Sequence, residues 1–283
     1  MLPMNTTFFV LLIAGALRTD AVMPPAQLAA APAVQETGEV DPFVLTYREA
    51  AATGDSKRLS ELWSNAPQPV LWTIDADLER SLRLVEKLRE GEGEGEPAGD
   101  SQKIQQEVEA LRTRALFGAR IAAEVLDRPL LADYAVSFAG WNRAQQIQFR
   151  KGQQTFGQAR EAREAGDLER ALELALKTVE LAEPLGDWWG TGMGRSLAGR
   201  IAQQQGNSEL ALLESARARS IHRAIGFVGS EISDLIVLAE ASLALGNRSR
   251  AAEAVRAGLK LAPEGSRDRA ALEQLAERTQ ATE

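Results

Sequence analysis

Cysteine is absent from all 283 residues, and histidine occurs once, at His222. The first absence excludes disulfides, thiolate-zinc sites, iron–sulfur clusters, cysteine nucleophiles and lipid anchors on cysteine. The second excludes any metal motif that needs two histidines in one chain. Aromatic residues make up only 5% of the chain, yet 45% of it is hydrophobic, enough to build a core from aliphatic side chains. Positive charge is also in deficit: 32 Lys+Arg face 40 Asp+Glu, for a net charge of −8 and a pI of about 5.0. A general nucleic-acid binder needs a basic face to neutralise phosphates, so nucleic acid is not an expected partner.

Long hydrophobic runs are missing too. The strongest, FFVLLIAGAL at residues 8–17, has about half of the roughly 20 residues that a bilayer span needs. Its length is that of a signal-peptide core, and Thr19 and Ala21 put small residues where a signal peptidase reads them. No Lys or Arg precedes it, which departs from the usual pattern. The expectation is a signal peptide at 1–21 and an exported chain (periplasm, envelope or outside the cell), touching membrane only if that segment stays uncleaved. Residues 22–40, rich in Ala and Pro, read as an extended tether.

What the chain does contain is a repeat. Gly166-Asp167, Gly206-Asn207 and Gly246-Asn247 recur at intervals of 40 residues. Gly accepts the left-handed conformation that ends one helix, and Asp or Asn caps the next. The flanks keep register. Seven residues before each Gly stand Ala159, Gly199 and Ala239; four before, Ala162, Ala202 and Ser242; five after, Ala171, Ala211 and Ala251. Small residues at fixed offsets let two antiparallel helices approach closely. One period earlier the register meets Ala119, Ala122, Leu126, Asp127 and Leu131, a degenerate first copy.

These hairpins resemble the tetratricopeptide repeat, best around Gly246, where Ala251, Gly258, Leu259, Leu261 and Pro263 follow the family's small, apolar and proline positions. The period departs from the usual one of about 34 residues, and Thr155, Arg195 and Leu235 stand where a large aromatic is common. The resemblance covers roughly 110–283 and implies an all-α solenoid, with 267–278 as its capping helix, that binds proteins.

Upstream, a further hairpin is expected at 43–53 and 57–66 around Gly54-Asp55, then an amphipathic helix near 73–90 from Leu78, Leu82, Val85 and Leu88. GEGEGEP at 91–97 ends this N-terminal helical module, 41–97, as an acidic linker before the repeat domain, 101–283. The acidic surplus of the window 75–110 reads as solvated charge rather than a site. Trp63, Trp72 and Trp141 read as core anchors.

Catalytic signatures are sparse. Gly190, Gly192 and Gly194 lie close together, but no strand precedes them and no Gly-Lys-Ser/Thr follows, which rules against a phosphate loop. His222 has no partner nucleophile or orienting carboxylate identifiable from spacing, and reads as an ordinary inter-repeat histidine. No enzyme activity, cofactor or metal is expected. Two features point to binding instead. Arg120, Arg160 and Arg200 each follow a small register residue, with Arg163 one turn beyond Arg160 and Phe156 four residues before it. In the resembled family that position faces the concave groove, so these side chains would form a cationic ladder for an acidic peptide or a free carboxylate. The competing account pairs the arginines with local acids such as Glu124 and Glu164, four residues on. The Trp188-Trp189 pair would either anchor a partner or close the inter-repeat loop. The expected function is a protein-binding scaffold. The alternatives are an accessory or regulatory subunit of a protease or kinase system, and a surface-tethered domain that holds a glycan or another polymer through the tryptophans.

Overall fold

The structure, a computed structural model, describes residues 41–91 and 98–280. The expected signal segment 1–21, the tether 22–40 and most of the Gly/Glu linker lie outside the described residues. The described residues form α-helices joined by short turns: α1 (Pro42–Thr53), α2 (Ser56–Asn65), α3 (Val70–Gly91), α4 (Ala98–Leu126), α5 (Pro129–Gly140), α6 (Arg143–Glu164), α7 (Leu168–Ala182), α8 (Trp188–Gln204), α9 (Ser208–Ile225), α10 (Val228–Ala244), α11 (Arg248–Leu261) and α12 (Arg267–Gln280). A single 3-10 turn, Glu183–Leu185, separates α7 from α8. Each helix from α6 onward packs on the next in sequence, giving a repeat-like, all-helical fold.

One turn design generates this architecture. After each helix from α6 to α10 a glycine adopts positive φ, and the following N–H reaches back to the carbonyl five residues earlier. The pairs run Asp167 to Ala162, Asp187 to Ala182, Asn207 to Ala202, Phe227 to His222 and Asn247 to Ser242. Gly166, Gly186, Gly206, Gly226 and Gly246 hold the left-handed position every 20 residues, because a Cβ there would be strained. The sequence repeat of 40 therefore contains two turns, not one. Asp55 and Ala50 make the same turn around Gly54 between α1 and α2. Between α4 and α5 it shifts by one residue: Asp127, not Leu126, takes the left-handed angle at φ 51°, and Arg128 bonds back to Ala123.

The residue after the left-handed one then caps the next helix. Asp55, Asp167, Asp187, Asn207 and Asn247 each accept the backbone N–H three residues on. Phe227 breaks the series and offers no side-chain cap.

Packing differs along the chain. Ala159, Ala171, Ala202, Ala211, Ala239 and Ala251 are fully buried in the hairpins, as close helix approach requires. A Cβ added to Gly199 would stand 2.3 Å from Ser215 Oγ, so α8 and α9 meet there at bare backbone. The N-terminal helices use large side chains instead: Tyr47, Trp63, Tyr134, Phe138, Trp141 and Phe149 share one core. Trp63 Nε1 donates to Gly118 O on α4 at 3.1 Å, so α1 and α2 sit on α4.

Candidate functional site

The first helices of successive hairpins, α6, α8 and α10, lie side by side. Arg160 and Arg163 on α6 and Arg200 on α8 come together on them, close enough that each guanidinium feels another. Their pairing is thin. Arg160 reaches Glu164, one turn on, only at 3.8 Å. Arg163 Nε donates to the neutral Gln204 Oε1 at 2.9 Å. Arg200 Nε is buried without a hydrogen-bond partner among the described residues, and so is Gln203 Oε1, one turn further along α8.

Burial holds Arg200 below the usual arginine range; Arg163 and Arg160 push the same way, and Asp234 on α10 opposes them. Asp234 is itself buried, and its Oδ2 lies 2.7 Å from His222 Nδ1 on α9. The one carboxylate that steadies Arg200 is thus engaged by the histidine. Burial likewise lowers Arg163, with Glu164 opposing and Arg160 reinforcing the shift. Three cations face two carboxylates, Glu164 at a long contact and Asp234 already engaged by the histidine, which leaves a seat for an anion.

The remaining ladder residues sit elsewhere. Arg120 is exposed on α4, its guanidinium 5.4 Å from the centre of the Phe117 ring. Phe156 is half-buried against the Ala159 and Leu197 cluster. Trp188 and Trp189 are half-buried where α8 begins. Trp188 Nε1 donates to Asp133 Oδ2 on α5 at 2.5 Å, and the Trp189 ring stands edge-on to Trp72 of α3 at 4.6 Å. The glycines at 190, 192 and 194 lie within α8, where Gly192 faces His222 and Gly194 faces Val179.

The sequence reading passed over several polar clusters. His222 is fully buried and paired with Asp234, although twelve residues separate them. Arg114 holds Asp77 through two nitrogens, at 2.5 and 2.6 Å, and Tyr47 donates to the same carboxylate at 3.0 Å. Arg150 of α6 grips Glu79 and Glu86 of α3. Finding the last two needed three residues paired across distant helices, and finding the first needed the facing of α9 and α10. A cleft of about 320 Å3 opens between α9, α10 and α11, floored by Ala216, Leu238 and Ala254 and edged by Arg219, Arg250 and Glu253. Among the described residues no group of three His, Asp or Glu side chains is arranged to hold a metal ion, and no helix is long and apolar enough to cross a membrane. In comparisons with known proteins, no family model matches the chain, and no curated protein or solved structure is significantly similar to it.

Proposed function

We propose that this chain is a non-enzymatic scaffold of tetratricopeptide-like solenoid type that binds another protein through the face formed by α6, α8 and α10. The segment recognised is acidic or ends in a free carboxylate. One observation carries the reading: Arg160, Arg163 and Arg200 are clustered with only a long contact to Glu164 and the histidine-bound Asp234 to balance them, and Arg200 Nε has no hydrogen-bond partner among the described residues. A buried guanidinium N–H without a hydrogen-bond partner is costly, and an arriving carboxylate removes that cost with charge-assisted hydrogen bonds. Gln203 Oε1, equally unpartnered, would accept an N–H from the same ligand. Export of the chain through residues 1–21 is part of this proposal. The polymer-binding alternative loses ground because both tryptophans of the pair make contacts within the chain.

The test is direct binding of the full chain to a peptide array in which each peptide appears acidic or neutral, and with a free or amidated C-terminus. Acidic or free-carboxylate peptides should bind, and Arg160→Gln/Arg163→Gln should weaken them about tenfold, the effect of losing about 1.4 kcal/mol. Added salt should weaken them further. Equal binding of neutral and anionic peptides would remove the arginine groove from the account.

A further inference from the structure

The N-terminal helices meet the hairpins along a seam whose polar centre is acidic. Asp75, Glu79 and Arg83 come from α3, Asp133 and Tyr134 from α5, Arg150 from α6, and Asp187 from the turn that opens α8. Tyr134 donates to Asp75 Oδ1 at 2.5 Å, and Asp187 caps α8 by accepting from Gly190 N at 2.8 Å. Asp133 accepts from Trp188 Nε1. Four residues before Asp187, Glu183 is paired with Arg195, which also holds Glu214, so that cation is committed elsewhere.

The charges do not balance. Arg150 is 2.5 Å from Glu79, but its other contacts go to Glu86 and Gln153. Neither Asp75 nor Asp187 has an ion-pair partner among the described residues. Asp187 is only 5% exposed. Asp75 is half-buried. A buried carboxylate without a counter-charge is tolerated in its neutral form, and having Asp75 and Glu79 beside Asp187 disfavours joint ionisation further. Burial, and repulsion from Glu79, raise both Asp75 and Asp187 to about 7; Asp187 adds to the rise at Asp75, while the Tyr134 hydrogen bond and the Arg83 charge lower Asp75 somewhat, as the Gly190 hydrogen bond does Asp187.

Around this centre the seam is held by ring contacts and a hydrogen bond that do not titrate. Trp72, Trp189 and Phe227 touch one another, with ring centroids 4.6 to 5.5 Å apart, and Trp141 Nε1 donates to Leu185 O at 2.8 Å. A change of charge at the centre therefore acts against a fixed background of packing.

We propose that this seam is a pH-sensitive joint: it is tight when Asp75 and Asp187 carry protons, and it loosens when both are ionised beside Glu79. Acidification clamps α3 and α5 onto the start of α8, and neutral to alkaline conditions free them to move relative to the hairpins. The joint is independent of the arginine groove, which lies on other residues.

Hydrogen exchange on the full chain tests it, at about pH 6 and about pH 8 with times scaled for intrinsic exchange. Peptides from α3, α5 and the first turn of α8 should open about fivefold more at the higher pH, while α11 stays unchanged as an internal reference. In Asp75→Asn/Asp187→Asn, which fixes the neutral form and keeps a capping oxygen at 187, that difference should vanish. A parent without the difference overturns the joint, and so does a double variant that retains it. Should the double variant fold poorly, Asp187→Asn alone must reduce the difference at the start of α8, and an unreduced difference again overturns the proposal.

Discussion

His222 Nδ1 lies 2.7 Å from Asp234 Oδ2 in a contact that is closed to solvent on both sides. The pair joins α9 to α10 across the one turn between α6 and α11 whose side-chain cap is missing, and His222 stands where the other turns of that stretch carry Ala or Ser. With Nδ1 donating to the carboxylate, Nε2 points at α8, and only a glycine fits there: a Cβ on Gly192 would come within 2.7 Å of it.

Removing one member of this pair leaves the other buried and unsatisfied. Asp234→Ala should cost about 3 kcal/mol, read as a fall in the urea midpoint. Asp234→Ala/His222→Ala should cost less than the two single changes summed, because no orphan remains. Additive costs would mean that the two side chains act separately. Gly192→Ala should cost about 1–3 kcal/mol by overpacking and should be relieved in the background of His222→Ala.

Trp189 contributes through distant rings rather than its own helix. It meets Trp72 edge-on at 4.6 Å and Phe227 at 5.5 Å. Trp189→Ala should destabilise the chain by about 3 kcal/mol. A double-mutant cycle with Trp72→Ala should return a coupling of about 1 kcal/mol, the usual surplus of an aromatic pair. A near-zero cost for Trp189→Ala would mean that the ring contributes little to the seam and is free for a ligand.

The contrast between these two features explains what was legible in the sequence. Helix ends could be read because turn and cap are local: Gly206-Asn207 specifies both within two residues. The hairpin at Gly54-Asp55 was visible for the same reason. The shift to Asp127 was hidden, because a non-glycine residue in the left-handed region leaves no compositional mark. Register placed Arg160 and Arg200 one period apart, and adjacent parallel helices brought them together. Arg120 has the register position but packs on its own Phe117. The seam was illegible because Trp72, Tyr134 and Asp187 come from three segments whose meeting depends on how α5 leans on α8 and α9.

The same seam sets a pH dependence of stability with a definite sign. Asp75 and Asp187 titrate near 7 when folded and near 3.8 otherwise. Between those values the folded chain retains protons that the unfolded chain has released, so stability falls as pH rises. Their contribution is fully present below the lower value and lost once pH passes the upper one. Urea denaturation across that window should show the parent losing stability relative to Asp75→Asn/Asp187→Asn, with the gap constant above about pH 8. A constant gap across the whole window would mean that neither carboxylate is shifted.

Phe227 separates capping from packing. Every other hairpin turn between α6 and α11 places Asp or Asn at this position, and each accepts the N–H three residues on. Phe227→Asp would supply the missing cap on α10, a gain of about 1 kcal/mol. It would also remove a ring that touches Trp72 at 5.4 Å, Trp189 at 5.5 Å and His222 at 5.6 Å. Losing a large aromatic from such a contact costs about 3 kcal/mol, so packing should win and the variant should be about 2 kcal/mol less stable by urea denaturation. In the background of Trp72→Ala and Trp189→Ala the ring has lost two of those neighbours, and the same substitution should become nearly neutral. A Phe227→Asp chain as stable as the parent would mean that the missing cap, not the aromatic contact, governs this turn.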